Sequence, residues 1–398
     1  MRTRIILVAA ALVLSVVAGA RCGRDSTPPG ASSTRTTEAP SSRESDPPLP
    51  PAAQRSESRG NSTAGTKKKA ILKYLKGLPS RKKCRLIAGQ FVGHASPKKL
   101  RAYFDELVTR LKKQTGHAPG LLEINLFHIQ TGAHSPDTKG LVRMIEAQWA
   151  KGVLLYISLR PPNPETGRGW HHRMKGEPIP KDLSTVYTRG TRQNRQYLRT
   201  LSTAADLFQA LEKKGIVVLF EPFNEIGHPA NWFVHDKLEK GVRLWKYTHD
   251  YFTRTRGLTN LIWVWEWHAG QSKHLEACFP GRKYADIVGL SLYDSDPRGK
   301  HAALWRRLRA LGLPLAFTEF GPKLKKPPRP DKRRAPFFTW DNKVQLAAFK
   351  EHYPEAVFFI RWRSIWAIVN QKNARAFMSD PRVIDLDRLR KDRAAGDW

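Results

Sequence analysis

The chain has 398 residues, with 69 Lys and Arg against 35 Asp and Glu, a formal charge of +34. Apolar residues at 40% and aromatics at 10% exclude a wholly disordered chain, and three cysteines exclude a disulfide-dense scaffold. Beyond the extreme N-terminus no apolar run is long enough to span a bilayer. The first 68 residues hold 10 basic and 5 acidic residues, so the remainder carries +29 by itself. A field of that sign draws polyanions, so an anionic cell-wall polymer is an expected partner; simple solubility is the plainer account. Nucleic acid is not expected, because no basic recognition helix or known module is present.

Arg2 and Arg4 precede an apolar run from Ile5 to Val17, and Ala18-Gly19-Ala20 closes it with small residues. That order is the pattern of a secretory signal peptide over 1–20, which implies secretion; an uncleaved anchor is the alternative. Cys22 suggests a lipid-modified cysteine, but Arg21 before it is a poor fit for that chemistry. Residues 21–68 are rich in Ser, Thr, Pro and Gly and cannot bury enough apolar surface to offset ordering entropy. They read as a flexible linker that could tether the chain to the envelope, with Asn61-Ser62-Thr63 as a glycosylation sequon inside it. Residues 69–398 read as one folded domain.

Within it, short apolar strands alternate with amphipathic helices. Arg85–Phe91 reads as a strand, and Ser96 caps a helix whose apolar face runs from Leu100 to Leu111. Strands follow at Leu121–Phe127, Val153–Leu159, Ile216–Phe220 and Leu261–Trp265, interleaved with helices at Thr138–Ala150, Tyr197–Lys214 and Val234–Phe252 and a short one near Leu275. The last three strands are Asp286–Leu292, Leu315–Thr318 and Ala356–Trp362, with helices at Ala302–Leu311, Lys343–His352 and near Asn373–Met378. Eight strand–helix units predict a parallel sheet closed into a (β/α)8 TIM barrel. An open doubly wound sheet is the runner-up, but no glycine-rich phosphate loop follows the first strand.

In such a barrel the chemistry sits at the C-terminal ends of the strands. The fourth strand leads into Glu221-Pro222-Phe223-Asn224-Glu225 and the seventh into Thr318-Glu319-Phe320-Gly321. Two carboxylates facing each other across the mouth, about 5–5.5 Å apart, suit glycoside cleavage with retention. One donates a proton to the leaving oxygen; the other attacks the anomeric carbon and must stay ionised. Tyr293, at the end of the sixth strand, is placed to hydrogen-bond the nucleophile.

Glu221-Pro222-Phe223-Asn224-Glu225-Ile226-Gly227, followed by Asn231-Trp232-Phe233, resembles the signature of glycoside hydrolase family 26, a clan A family made up mostly of β-mannanases. The resemblance spans roughly 85–385. It implies Glu225 as acid/base and Glu319 as nucleophile, with Trp362-Arg363 similar to the segment whose Trp floors the sugar at the cleaved bond. Gly89-Gln90, Asn163-Pro164 and Tyr284–Gly289 also resemble family positions. The family's Arg, His and Trp-His positions are Glu221, Asn224 and Leu159-Arg160 in this chain. That exchange of charge suggests an Arg160–Glu221 pair close to the site.

The substrate-binding candidates are therefore Asn224, Trp232, Phe233, Tyr293, Trp362 and Arg160, with Trp232 and Trp362 as stacking platforms for sugar rings. Trp263 and Trp366 read as core, and Glu266 and His268 as secondary cleft residues. His171-His172 lacks a partner at ligand spacing, so no metal and no cofactor are expected. Pairing of Cys84 with Cys278 is not readable from sequence. The expected activity is endo-acting hydrolysis of a β-1,4-mannan-type polysaccharide by a monomer. A β-glucanase or xylanase of the same fold, or a non-catalytic polysaccharide-binding wall protein, are the alternatives.

Overall fold

The computed structural model describes residues 63–94, 97–126, 138–167, 177–234, 238–271, 273–323 and 340–398. The signal peptide, Cys22, most of the linker, Ser96 and His171-His172 lie outside the described residues.

Eight parallel strands close on themselves: β1 (Leu86–His94), β2 (Leu121–Asn125), β3 (Leu154–Ser158), β4 (Val218–Glu221), β5 (Leu261–His268), β6 (Ile287–Tyr293), β7 (Leu315–Gly321) and β8 (Ala356–Arg361). Each pairs with the next, and β1 pairs with both β8 and β2, which completes the predicted barrel. The strand residues are buried almost without exception, because side chains fill the interior while helices cover the outside. That double burial explains why the strands read as continuous apolar runs rather than alternating ones.

The helices follow their apolar faces. In Arg192–Lys213 the buried positions Tyr197, Leu201, Ala204, Ala205, Phe208 and Leu211 recur every three or four residues, and the Thr191 side chain caps the start by accepting from Asn194 N–H. Two helices seen as continuous in the sequence contain π turns, at Asp105–Thr109 and Tyr251–Thr255. No helix among the described residues is long and apolar enough to cross a membrane.

Three differences from the sequence reading concern the ends. A helix spans Thr63–Gly77, so the folded body starts inside the segment assigned to the linker. Ile71, Tyr74, Leu75 and Leu78 give it a buried face at helical spacing. Lys67 donates to the carbonyl of Gly215 just before β4, and Lys68 pairs with Asp286 just before β6 at 3.0 Å, which lays the helix across the N-terminal end of the barrel. At the other end of the chain, β9 (Val383–Ile384) adds to β1, and a helix, Leu386–Ala394, follows. The Tyr74 hydroxyl ties the two terminal helices together through Asp392 at 2.7 Å. Cys84, just before β1, and Cys278, after β5, are both free thiols.

Candidate active site

The end of β4 and the turn after it build half of the site. Beyond Glu221 the chain turns so that Glu225 adopts a positive φ of 50°, a conformation that costs a non-glycine residue about 1–3 kcal/mol and persists only where neighbours hold it. The holding groups are visible. Asn231 donates its side-chain amide to the carbonyls of both Asn224 and Glu225, each at 2.9 Å. Ile226 joins β5 as an isolated bridge to Trp267. Gly227, at φ +95°, lies so close to the Trp267 ring that a Cβ would sit 2.9 Å from it, so only glycine fits. The Glu225 carboxylate accepts from the Ser291 hydroxyl at 2.9 Å, and His268 Nδ1 lies 3.3 Å from the same oxygen.

β7 supplies the other half. Glu319 is buried, and three side chains converge on it. Arg160 and Asn224 (3.1 Å) donate to Oε1, while the Tyr293 hydroxyl donates to Oε2 at 2.8 Å. Burial raises the Glu319 carboxyl above its ordinary range, and the charge on Glu225 adds to that; Arg160 and Tyr293 oppose the rise. Ser291 stands opposite Glu319 in the β6–β7 register and also reaches Glu225, so one residue links both acids.

The structure thus brings together Glu225, Glu319, Asn224, Tyr293 and Arg160, and it corrects the partner of Arg160. Arg160 meets Glu319, whereas Glu221 takes its hydrogen bond from the Tyr156 hydroxyl. Arg160 also has a positive φ of 50°, which turns the chain at the end of β3. Glu221 is one of three further buried carboxyls below the mouth, with Glu123 on β2 and Glu266 on β5. Burial raises all three, Glu221 to about 8. Among the described residues no group of His, Cys, Asp and Glu is arranged to hold a metal ion.

Two aromatic assignments change. Trp232 is 1% exposed, donates its indole N–H to the Pro161 carbonyl at 2.9 Å and meets Tyr197 edge-on. Phe233 is packed against Phe223. Both belong to the 3-10 turn Trp232–Val234, which tucks them beneath the mouth, so neither offers a face to a sugar. Trp362 is partly exposed; it stacks on Phe91 at 3.9 Å, and the Arg160 guanidinium lies over its ring at 4.8 Å. The sequence reading missed Asn231, Ser291, Thr318 and Tyr156. Asn231 and Thr318 left a signal, as the first residues of the Asn-Trp-Phe and Thr-Glu-Phe-Gly stretches.

With this geometry in place, the comparisons with known proteins agree. The family model described as glycosyl hydrolase family 26 matches residues 60–363. The chain is 28% identical over 353 residues to a mannan endo-1,4-beta-mannosidase A and B of Caldalkalibacillus mannanilyticus, covering 85% of this chain and 65% of that one. It is 27% identical to a mannan endo-1,4-beta-mannosidase of Bacillus subtilis, covering 80% of this chain and 86% of that one. A solved Bacillus subtilis mannanase superposes with a TM-score of 0.70 at 25% identity, over 82% of this chain and 94% of the other.

Proposed function

The chain belongs to glycosyl hydrolase family 26, and from that premise we propose that it cleaves β-1,4-linked mannan within the polymer, with retention of configuration. One observation carries the reading. Glu319 is held by a cation, an amide and a phenol, while Glu225 accepts from Ser291, which lies opposite Glu319 in the β6–β7 register. The names of the relatives support mannan as the polymer.

The chemistry follows from the two environments. The Glu319 carboxylate attacks the anomeric carbon as the bond to the leaving oxygen breaks, and the proton on Glu225 moves to that oxygen. A glycosyl ester on Glu319 results. Water then attacks the same carbon, Glu225 takes its proton, and the ester bond breaks to return Glu319 as a carboxylate. Two inversions leave the original configuration. Asn224, reaching Glu319 from the residue before Glu225, fixes the two acids relative to each other. Trp362 is the described aromatic placed to lie under the sugar.

The leader pattern at 1–20 supports an activity outside the cell. The surplus of basic residues adds affinity for anionic wall polymers, which salt would weaken. We take the enzyme to act as a monomer.

The test is reducing-end release from mannan by the full chain beside Glu319→Gln, with the anomer of the first product read by NMR. Release of the β-anomer by the wild type alone is expected. A first-formed α-anomer removes the double displacement. Silence from the wild type on mannan, with release from glucan or xylan, removes the substrate.

A further inference from the structure

Glu266, on β5, is fully buried and reaches neither Glu225 nor Glu319 through their carboxylates. It touches the backbone of Glu225 and the residue that precedes each of the two in sequence. Its Oε2 accepts the backbone N–H of Glu225 at 2.6 Å and the side-chain amide of Asn224 at 2.6 Å. Its Oε1 accepts the hydroxyl of Thr318, the residue before Glu319, also at 2.6 Å. Gly289 on β6 makes room for this last contact, because a Cβ there would lie 2.5 Å from the Thr318 side chain.

We infer that Glu266 is a positioning residue that clamps the segments carrying both catalytic acids to β5, an inference that rests on Glu225 and Glu319 being that pair. The argument is one of constraint. The positive φ of Glu225 is held by neighbours or not at all. Asn231 secures the carbonyls of the turn, and Glu266 secures the N–H of Glu225. Asn224 is held from two sides at once, since the same amide group that donates to Glu266 also donates to Glu319. Moving Glu266 therefore displaces the acid/base and loosens the nucleophile together. Ordinary burial of an acid needs none of this convergence; a carboxyl that is buried for packing alone would not take up two donors from the segment of Glu225 and one from the segment of Glu319.

Three variants test it: Glu266→Ala, Glu266→Gln and Thr318→Val. Glutamine reproduces the geometry, because its Oε1 can accept from Asn224 and Glu225 while its amide donates to the Thr318 oxygen. Glu266→Ala is expected to lower kcat by about 100-fold, the scale of a small misplacement of catalytic groups, with KM within roughly two-fold of wild type. Glu266→Gln should recover most of the lost kcat, and Thr318→Val should lose only a few-fold. Equal kcat for Glu266→Ala and wild type overturns the inference, as does a loss in KM alone or a Glu266→Gln variant as slow as Glu266→Ala. If Glu266→Ala does not fold, Glu266→Gln and Thr318→Val still decide the matter by the same criteria. A crystal structure of Glu266→Gln or Glu266→Ala needs no substrate. A displaced Asn224–Glu225 turn in the alanine variant, with the turn kept in the glutamine variant, supports the clamp even if the wild type proves inert on mannan, an outcome that would remove only the proposed substrate. An unchanged turn in Glu266→Ala overturns it.

Discussion

Glu225, just after β4, and Glu319, on β7, are chemically identical side chains, yet they meet different company. Glu319 is met by a guanidinium, an amide and a phenol. Glu225 is met by a serine hydroxyl and by the imidazole of His268. A fixed cation suits a group that must remain ionised while it attacks. A neutral hydroxyl, with no fixed guanidinium beside it, suits a group that must first give up a proton and later take one back. Under the proposed roles, the difference between nucleophile and acid/base resides in neighbours supplied by other strands and the turns after them: β3, β4 and β6 for Glu319, β5 and β6 for Glu225.

The largest effect that would sharpen this comparison comes from Glu225→Gln. Loss of a positioned proton donor costs roughly 10²–10⁴-fold, and the loss should depend on the leaving group. Natural mannan needs the proton; an aryl mannoside with an acidic phenol leaves without it. We expect kcat/KM on mannan to fall by that range and formation of the glycosyl-enzyme from the activated aryl substrate to fall far less. Equal losses on both substrates would break the assignment of Glu225 as the acid. Glu319→Gln should instead abolish turnover of both, because no leaving group replaces a missing nucleophile.

A smaller effect tests the cation. Arg160 pulls the Glu319 carboxyl down against the rise imposed by burial. Removing it in Arg160→Gln lets that rise go further. Since Glu319 must be deprotonated to attack, the acid limb of kcat/KM should move to higher pH, by about 1–3 units for an opposite charge removed at contact distance. An acid limb that stays in place while kcat falls would mean that Arg160 acts on the sugar or on Trp362 rather than on the charge of Glu319.

Much of this was legible before any coordinates. Strand and helix positions followed from apolar runs and their periodicity, because barrel strands are buried on both faces and barrel helices on one. The positions of Glu225 and Glu319 at the barrel mouth were legible because carboxylates at the ends of otherwise apolar strands stand out, as was the Tyr293 contact with Glu319. What was hidden depends on side-chain direction. Arg160 and Glu221 are complementary charges on neighbouring strand ends, and sequence offers nothing to show that Arg160 turns away to Glu319 and leaves Glu221 to Tyr156. Trp232 and Phe233 looked like sugar platforms because aromatic residues after a strand end suggest a cleft; the 3-10 turn points them inward instead. The helix Thr63–Gly77 was concealed by the Thr-, Gly- and Lys-rich composition at its start, although Ile71, Tyr74 and Leu75, with Leu78 in the turn after it, carried the helical spacing.

The smallest expected effect on catalysis, and the clearest on stability, is at Glu221. Burial raises its carboxyl to about 8 in the folded chain, against an ordinary value near ~4.3 when unfolded. Between those two pH values the folded form keeps a proton that the unfolded form has released. Folding stability tied to this group is thus complete below the unfolded value and is lost as pH rises toward 8, with a slope of up to about 1.4 kcal/mol per pH unit. Glu221→Gln removes the titration while its side-chain oxygen still accepts from Tyr156. The variant's denaturant-unfolding free energy should therefore decline less steeply than wild type between pH 5 and pH 8, roughly the window set by those two values. Turnover at pH 6 should change far less than for the proposed catalytic carboxylates, because Glu221 contacts Tyr156 and Asn224 and reaches Glu319 only through charge. Parallel stability curves for the two proteins would mean that Glu221 is ionised in the fold, paired through space with Arg160. The sequence-level expectation of an Arg160–Glu221 pair would then regain part of its ground, and the separation between a charged nucleophile and a neutral layer of carboxyls beneath it would have to be redrawn.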